Sequence, residues 1–282
     1  MVSSVKVAHF RFYAELNDFL PPEKRRGAFR YALSGAQPVK HLIEALGVPH
    51  TEVDLVLVNG DSSGFDRIIR DGDRVSVYPV FEAFDIAAVS RVRPRPLRRT
   101  RFAADAHLAR LAAYLRMLGF DTVCDPGLDD AALTELAARE RRIVLTRDRG
   151  LLKRRAVTHG YFVRQTAPRL QLAEAVGRFD LAGSITPFTR CMKCNGELQA
   201  VTGAEVADKV PPRSRRHASH FRACRACGRV FWDGSHYRRM QLLITQVTGR
   251  EPDGVPGTDQ ATPLDSQLHR AAGRGAETQP DS

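Results

Sequence analysis

The chain has 282 residues, which corresponds to about two domains of ordinary size. Apolar residues make up 43% of the sequence, which is enough to form hydrophobic cores, so a wholly disordered chain is excluded. No uncharged apolar run approaches the ~20 residues of a membrane span, and the first residues lack the apolar stretch of a secretory signal, so we expect a cytoplasmic protein with no membrane partner.

The formal net charge of +11 is concentrated in the middle of the chain. Residues 87–182 carry 19 basic and 10 acidic side chains, and residues 183–247 carry 11 and 4, whereas the two ends of the chain are net negative. A concentrated cationic surface attracts a polyanion by releasing its condensed counterions. Nucleic acid is therefore the leading partner class, with an arginine-rich surface of no such function as the alternative.

Residues 1–86 predict a small mixed domain. The dipeptide Asn59-Gly60 is typical of a tight turn after an apolar strand. The order of elements is similar to a ubiquitin-like β-grasp domain of the sulfur-carrier type. These elements are alternating or apolar strands at 5–12, 55–58 and 74–79, and a short amphipathic helix at 39–46.

Sulfur-carrier chemistry is nevertheless excluded, because such carriers end in a free Gly-Gly that is activated as an acyl-adenylate. Here the corresponding stretch reads Pro79-Val80-Phe81-Glu82 and continues into another domain. An interaction or accessory role, with a protein partner, is left for this domain.

We expect little packed structure in two segments of the chain. Residues 87–100 contain two X-Pro pairs among arginines, which disfavour helix and favour an extended basic linker. Residues 248–282 have nine Gly or Pro and no aromatic residue, so we expect a disordered tail.

Residues 101–182 alternate between short apolar strands and amphipathic helices. A strand precedes Asp105, a second covers 120–123, and a third covers 142–146, each followed by a helical stretch. This alternation predicts an α/β domain with a parallel sheet, whose ligands bind at the carboxyl ends of the strands.

Aspartates follow these strands. Asp105 and Asp148 each lie where a strand ends and a helix begins, and Asp129 and Asp130 lie at another helix start. Carboxylates that converge at one sheet edge repel one another unless a divalent cation such as Mg²⁺ or Mn²⁺ neutralises them. Such an ion would activate water and stabilise a leaving oxygen in phosphodiester hydrolysis. Asp is also among the best helix N-caps, so simple capping remains open.

The stretch 101–121 (RFAADAHLARLAAYLRMLGFD), together with 142–148 (RIVLTRD), resembles the Mut-seven C-terminal ribonuclease family, a PIN-like group. This resemblance implies a metal-dependent ribonuclease with acidic residues at strand ends, carried here by Asp105 and Asp148, then by Asp130 and Asp129. The chain departs from the pattern at Ala131-Ala132, where a further acidic residue is expected. The number of catalytic ions is therefore left open.

Two Cys-x-x-Cys pairs, separated by 29 residues, predict a closed four-thiolate zinc site. A closed site leaves no position for water, so this zinc would stabilise the fold. Two redox pairs are the alternative. Gly196 and Gly228 would permit the tight turns, and Cys124 is expected to be an ordinary buried thiol. The four predicted ligands are Cys191, Cys194, Cys224 and Cys227.

The segment that contains these pairs is also similar to the zinc-bearing C-terminal half of the same family. Aromatic residues alternate with basic ones there, a pattern that suits stacking on unpaired RNA bases, although Trp232 also suits a small core beside zinc. Candidate RNA contacts are Arg147, Arg149, Trp232, His236, Tyr237, Arg238 and Arg239.

The sequence therefore predicts an α/β protein of three parts. They are a ubiquitin-like β-grasp domain (1–86), a PIN-like domain with a parallel sheet (101–182) and a zinc-ribbon extension (183–247). The predicted activity is divalent-metal-dependent hydrolysis of RNA. Two alternatives remain open: a non-catalytic RNA- or ribosome-binding protein whose aspartates only cap helices, and a protein-interaction adaptor.

Overall fold

The computed structural model describes residues 5–79, 90–92 and 100–249. Its N-terminal part is a mixed five-stranded sheet, in the order β2-β1-β7-β4-β5, with one helix packed on it. β1 pairs in parallel with β7, and the other neighbours in this sheet are antiparallel. Its elements are β1 (Val7–Phe12), β2 (Phe29–Ala32), β3 (Gln37–Pro38), α1 (Val39–Ala45), β4 (Val53–Val58), β5 (Asp61–Ser63), β6 (Ile68–Ile69) and β7 (Arg74–Pro79).

Side-chain alternation explains this sheet. In β1, Ala8, Phe10 and Phe12 are buried against the helix, while the residues between them are exposed. Asn59 and Gly60 have φ angles of 56° and 95°, so both occupy the left-handed region that a two-residue hairpin turn requires. The predicted β-grasp domain is confirmed.

The second part is a four-stranded, all-parallel sheet in the order β11-β10-β8-β9. Helices α2 and α5 cover one face, and α3 and α4 cover the other. β8 and β10 are therefore buried on both faces, which explains their wholly apolar or small residues. The elements are β8 (Phe102–Ala104), α2 (Ala109–Met117), β9 (Thr122–Val123), α3 (Asp130–Glu140), β10 (Ile143–Thr146), α4 (Arg149–Lys153), β11 (Gly160–Phe162) and α5 (Pro168–Arg178).

The third part is a small antiparallel sheet, β12-β13-β14, that carries the four cysteines. The spacer between the two cysteine pairs contains a short helix that begins at Pro212. Proline at the first helical position needs no N–H partner, so it favours such a start. The elements are β12 (Leu198–Val201), α6 (Pro212–His217), β13 (Phe221–Cys224), β14 (Val230–Trp232) and α7 (Ser235–Thr248).

Helix α7 returns to the second part of the molecule. Its buried residues Leu243 and Ile244 join the core formed by α2, α5 and the parallel sheet, and Met240 and Val247 pack at the edge of that core. The last helix of the cysteine-bearing extension is thus a structural member of the α/β domain.

The predicted linker lies outside the described residues except for 90–92 and Thr100, and the predicted disordered tail lies outside them beyond Gly249. Among the residues that the structure describes, no helix combines the length and apolar character needed to cross a membrane.

Candidate functional site

Asp105 and Asp148 lie at the same edge of the parallel sheet. Asp105 directly follows β8, and Asp148 follows the neighbouring strand β10 by two residues. The buried hydroxyl of Thr146 links them: its Oγ1 donates to Asp105 Oδ2 at 2.7 Å and accepts the backbone N–H of Asp148 at 2.9 Å. Three residues from two adjacent strands therefore form one connected group, which we call the acidic edge.

His107 completes the surroundings of Asp105. Its Nδ1 lies 3.0 Å from Asp105 Oδ1, and its Nε2 accepts the backbone N–H of Arg147 at 3.2 Å. Because Nε2 is an acceptor, the neutral ring carries its proton on Nδ1, the nitrogen that lies next to Asp105 Oδ1. Asp105 Oδ2 thus accepts one hydrogen bond, and both oxygens of this carboxylate keep lone-pair directions for another ligand.

His107 was not predicted from the sequence as a site residue. A signal for it existed, because it lies two residues after an aspartate that follows a buried strand. Its contact with Arg147, however, joins positions 40 residues apart and depends on the tertiary fold.

The other predicted aspartates are engaged elsewhere. Asp129 accepts the N–H of Ala132 at 2.8 Å and caps α3, while half-exposed Asp130 pairs with Arg154 at 3.3 Å. Asp148 also caps its own helix, accepting the N–H of Gly150 at 2.7 Å. Asp105 lies at the N-cap position of a short 3₁₀ helix, Ala106–Leu108, but its side chain makes no capping hydrogen bond.

No three carboxylate or imidazole groups come within 4.8 Å of one another among residues 5–79, 90–92 and 100–249. The structure brings Asp105 and Asp148 to one edge but leaves Asp129 and Asp130 bonded to other partners. Capping and metal binding share the same positions at Asp148, so the hydrogen bonds alone leave both roles open.

Cys124 lies behind the acidic edge. Its Sγ is 3.7 Å from the backbone oxygen of Asp105, and the residue is half-buried. Burial raises the pKa of this thiol despite the nearby guanidinium of Arg116, so the sulfur stays protonated and is a poor nucleophile.

Arg147 and Arg149 donate hydrogen bonds to backbone segments that lie beside the acidic edge. Arg147 donates through one nitrogen to the carbonyl oxygens of residues 163–165, at 2.6–2.9 Å, and so holds the segment that follows β11. Arg149 donates to the backbone oxygen of Phe19 at 3.3 Å, and its guanidinium lies 5.0 Å from the centre of the Phe19 ring and 5.5 Å from that of Phe162.

The N-terminal domain therefore contacts the α/β domain beside the acidic edge. Buried Glu52 accepts the N–H of Phe162 at 2.6 Å and pairs with Arg164 at 3.1 Å. His50 Nε2 lies 2.9 Å from the backbone oxygen of Val157. Burial raises the pKa of Glu52 even though Arg164 opposes this rise. The Phe162 N–H belongs to the edge strand β11, so Glu52 satisfies an otherwise open strand edge.

The four predicted zinc ligands meet at one point. Their sulfur atoms all lie within 4.8 Å of one another, with Cys191–Cys227 at 3.8 Å and Cys194–Cys224 at 3.4 Å. Tetrahedral zinc with bonds of about 2.3 Å requires sulfur atoms about 3.8 Å apart, so the cluster fits a structural zinc ion.

Each Cys-x-x-Cys pair lies on a tight turn, which we call a knuckle, and the two knuckles turn by different means. Gly228 has a φ of +67°, but in the first knuckle the left-handed residue is Asn195, with a φ of 70°. Gly196 is needed for space instead, because a Cβ there would lie 2.9 Å from the sulfur of Cys224. The backbone N–H of Arg229 lowers the pKa of Cys227 to about 7, whereas burial raises the pKa of Cys191 and that of Cys194. Cys227 is therefore the thiol that gives up its proton most readily.

Asp121 joins the first knuckle to the parallel sheet. Its carboxylate accepts two hydrogen bonds from Arg142, at 2.7 and 3.2 Å, and one from Asn195 at 2.7 Å. Burial raises the pKa of Asp121, but these donors outweigh burial and lower it overall. Asn195 also accepts the N–H of Thr122 at 3.0 Å, so one side chain holds the start of β9.

Comparison with protein families decides between the possible identities of this fold. The model described as the Mut7-C RNAse domain matches residues 100–244, about half of the chain, and the model described as Mut7-C ubiquitin matches residues 5–85. The chain belongs to the Mut7-C RNase family. Comparison with curated proteins gave no significant match, and neither did comparison with solved structures. Membership in the Mut7-C family implies ribonuclease activity and an RNA substrate.

The other candidate RNA contacts of this Mut7-C domain lie around the start of α7. Trp232 packs against the small core of Val206, Val210 and Phe221 and also faces an open groove. Tyr237 contacts Phe188, with ring centres 4.5 Å apart. His236, Arg238 and Arg239 are exposed in the first turns of α7.

Proposed function

We propose that this chain is a divalent-metal-dependent ribonuclease that hydrolyses RNA phosphodiester bonds at the acidic edge, with water as the nucleophile. The observation that carries the proposal is the pair Asp105 and Asp148 on adjacent parallel strands, linked through Thr146. Ligands of parallel α/β sheets bind at this end of the strands.

The donor set suits Mg²⁺ or Mn²⁺. These ions prefer hard oxygen ligands and bind through one or two carboxylates, keeping waters and taking phosphate oxygens as further ligands. Once bound, such an ion lowers the pKa of a coordinated water and stabilises the charge of the phosphate and of the leaving oxygen.

The residues of the chain hold this arrangement in place. The Thr146 hydroxyl donates to Asp105 Oδ2, and the His107 ring lies 3.0 Å from Asp105 Oδ1, so each oxygen of this carboxylate has a neighbour that orients it. Asp148 is oriented by the Thr146 hydroxyl at its backbone and by the Gly150 N–H at its side chain. Fixed ligands lower the reorganisation cost when metal and substrate bind.

Asp130 is the next proposed metal ligand, followed by Asp129. Asp130 is half-exposed and would have to give up one ion pair, with Arg154. Asp129 would have to release its capping hydrogen bond from Ala132. In this proposal Arg147 and Arg149 flank the RNA backbone while keeping their present contacts.

The proposal extends to zinc, location and partners. The four-cysteine cluster is proposed to hold one structural zinc ion, and the protein is proposed to act in the cytoplasm. A protein partner for the N-terminal domain stays a prediction, since the contacts described for Glu52 and His50 are made to the α/β domain of the same chain.

The alternative is a non-catalytic RNA- or ribosome-binding protein. The capping bonds of Asp148 and Asp129 favour it, because they explain those side chains without any metal.

Purified protein incubated with labelled RNA and with Mg²⁺, Mn²⁺ or EDTA separates the two functions. Asn caps helices as well as Asp does, so Asp148→Asn removes the charge and keeps the cap. We expect cleavage that requires the ion, falls at least 100-fold in Asp148→Asn and persists in the control Cys124→Ala. Salt-sensitive binding without cleavage would support the alternative.

A further inference from the structure

A groove of about 1180 Å³ lies over the small cysteine-bearing sheet and the start of α7. Pockets that bind one drug-sized ligand have volumes of about 300–1000 Å³, so this groove has room for more than one nucleotide. We call it the ribbon groove. Its lining includes aromatic residues from β13 (Phe221), from β14 (Phe231 and Trp232), from α7 (Tyr237) and from the turn before the first cysteine pair (Phe188). Because neighbouring residues of a strand point to opposite faces, the groove runs along both faces of the edge strand β14.

The same lining is strongly basic. It includes Arg190, Arg213, Arg222 and Arg238, and its one acidic residue among the described part of the chain is Asp233. The charge of Asp233 is already compensated, because its carboxylate accepts the backbone N–H groups of residues 219 and 220 and contacts the His220 ring. The groove therefore favours an anionic ligand.

The aromatic rings in this groove are held in place. Trp232 packs on the core beside the cysteines, and Tyr237 is supported by the ring of Phe188. Arg222 donates to the backbone oxygen of Phe188 at 3.1 Å, so the β-sheet also fixes this support. Rigid aromatic rings allow unpaired bases to stack on them, and the guanidinium groups beside the rings attract the phosphates of the same strand.

We propose that the ribbon groove binds single-stranded RNA, with unpaired bases against the aromatic rings and phosphates against the arginines. The inference rests on the proposed ribonuclease function for the identity of the polyanion. A base-paired duplex hides its base faces, so the groove selects unpaired segments. An acidic peptide would match the charge, but the five aromatic side chains of the lining favour bases.

The groove is built on a different part of the α/β domain from the acidic edge. The zinc-ribbon extension contacts the parallel sheet through the side chain of Asn195, which hydrogen-bonds to Asp121 and Thr122. These two residues lie at the amino end of strand β9. Asp105 follows the carboxyl end of β8. The groove therefore holds a part of the RNA that is not being cleaved and selects the substrate by affinity.

Trp232 is the single tryptophan of the chain and lines the groove, so its fluorescence reports on this site directly. The experiment uses the full zinc-loaded chain carrying Asp148→Asn, titrated with a single-stranded RNA of about 12 nucleotides, a length typical of single-strand sites. We expect saturable quenching by this RNA. A matched duplex and a poly-glutamate peptide are expected to quench at least tenfold more weakly.

Two variants test the charges and the stacking separately. Arg238→Gln is expected to weaken binding of the single strand about threefold or more and to reduce the salt slope by about 1. Tyr237→Leu is expected to weaken it about fivefold or more with an unchanged salt slope. Arg169→Gln, an exposed arginine in the first turn of α5, is the control and should bind as the parent does. Zinc content confirms that each variant keeps its ribbon.

Equal quenching by duplex or by poly-glutamate, absence of quenching, or an Arg238→Gln variant that binds like the control would overturn the proposal. Failure of the ribonuclease function is distinguishable: wild-type protein would then bind the single strand in the groove and leave it uncleaved. Cleavage without quenching would refute the groove and leave the acidic edge intact.

Discussion

The four-cysteine cluster and the acidic edge are both candidate metal sites, and they are built in opposite ways. The cluster brings four soft donors within 4.8 Å of one another and leaves no ligand position open. The acidic edge offers two hard donors from adjacent strands, ordered by Thr146 and His107 and open to solvent. We therefore expect the first site to stabilise the fold and the second to exchange water and substrate.

The largest expected effect comes from breaking the closed site. Cys224→Ser removes one of four ligands, and since structural zinc contributes about 10 kcal/mol or more of binding free energy, we expect loss of the ion and unfolding of the ribbon. Metal analysis should fall from about one zinc per chain to near zero, and Trp232 fluorescence should shift toward that of an exposed indole. Cys124→Ala is the matched control and should retain the zinc.

A smaller effect is expected at the junction between the two sites. Asp121→Ala leaves Asn195 without its acceptor and leaves buried Arg142 with Glu140 as its remaining carboxylate partner, at 2.7 Å, so it should lower the free energy of unfolding by about 2 kcal/mol in urea titrations. Glu135→Ala, at an exposed position of α3, should change it by less than about 0.5 kcal/mol. Equal effects of the two variants would contradict the role of Asp121.

The same residue predicts a pH dependence. Burial raises the pKa of Asp121, but Arg142 and Asn195 outweigh it and lower the pKa below its unfolded value of about 3.9. The contribution of Asp121 to the free energy of unfolding is therefore complete above the unfolded pKa, and it is lost as the pH falls through the lower pKa of the folded state. Between pH 5 and 2 the wild type should lose more stability than Asp121→Asn, and parallel curves would refute this assignment.

Thr146→Val tests the acidic edge alone, because it removes a hydroxyl there while keeping the shape of the side chain. The two hydrogen bonds at Oγ1 are lost, so we expect a cost of about 2 kcal/mol in stability and at least a tenfold fall in RNA cleavage. Thr134→Val removes the hydroxyl of another buried threonine, in α3, and should change stability without changing cleavage. Similar cleavage by both variants would show that Thr146 has no positioning role.

The smallest expected effect is at Asp130. Asp130→Asn removes an exposed ion pair with Arg154, which is worth less than about 1 kcal/mol. If Asp130 joins the metal site, the Mg²⁺ concentration needed for half-maximal cleavage should rise about threefold or more. An unchanged requirement would exclude it from the site.

The sequence predicted the local features best. The two Cys-x-x-Cys pairs and the Asn59-Gly60 turn each depend on residues close together in the chain, so spacing alone was sufficient. The parallel sheet followed from the alternation of elements, and its topology brings Asp105 and Asp148 to one edge.

Features that depend on distant partners could not be predicted. The apolar positions of α7 show which face of a helix is buried, but not that Leu243 and Ile244 pack on the α/β core. The partner of Asp130, the role of Arg147 in holding residues 163–165 and the contact of Arg149 with Phe19 all join positions 16 to 130 residues apart.

The central claim is that Asp105 and Asp148 bind one divalent cation together. Crystals of the full chain soaked in Mn²⁺ test it most directly, because anomalous scattering locates the ion. We expect a Mn²⁺ peak about 2.0–2.6 Å from carboxylate oxygens of both residues, and no such peak in crystals of Asp148→Asn. A peak at neither residue, in a soaked crystal whose Asp105 and Asp148 side chains are ordered, would contradict it.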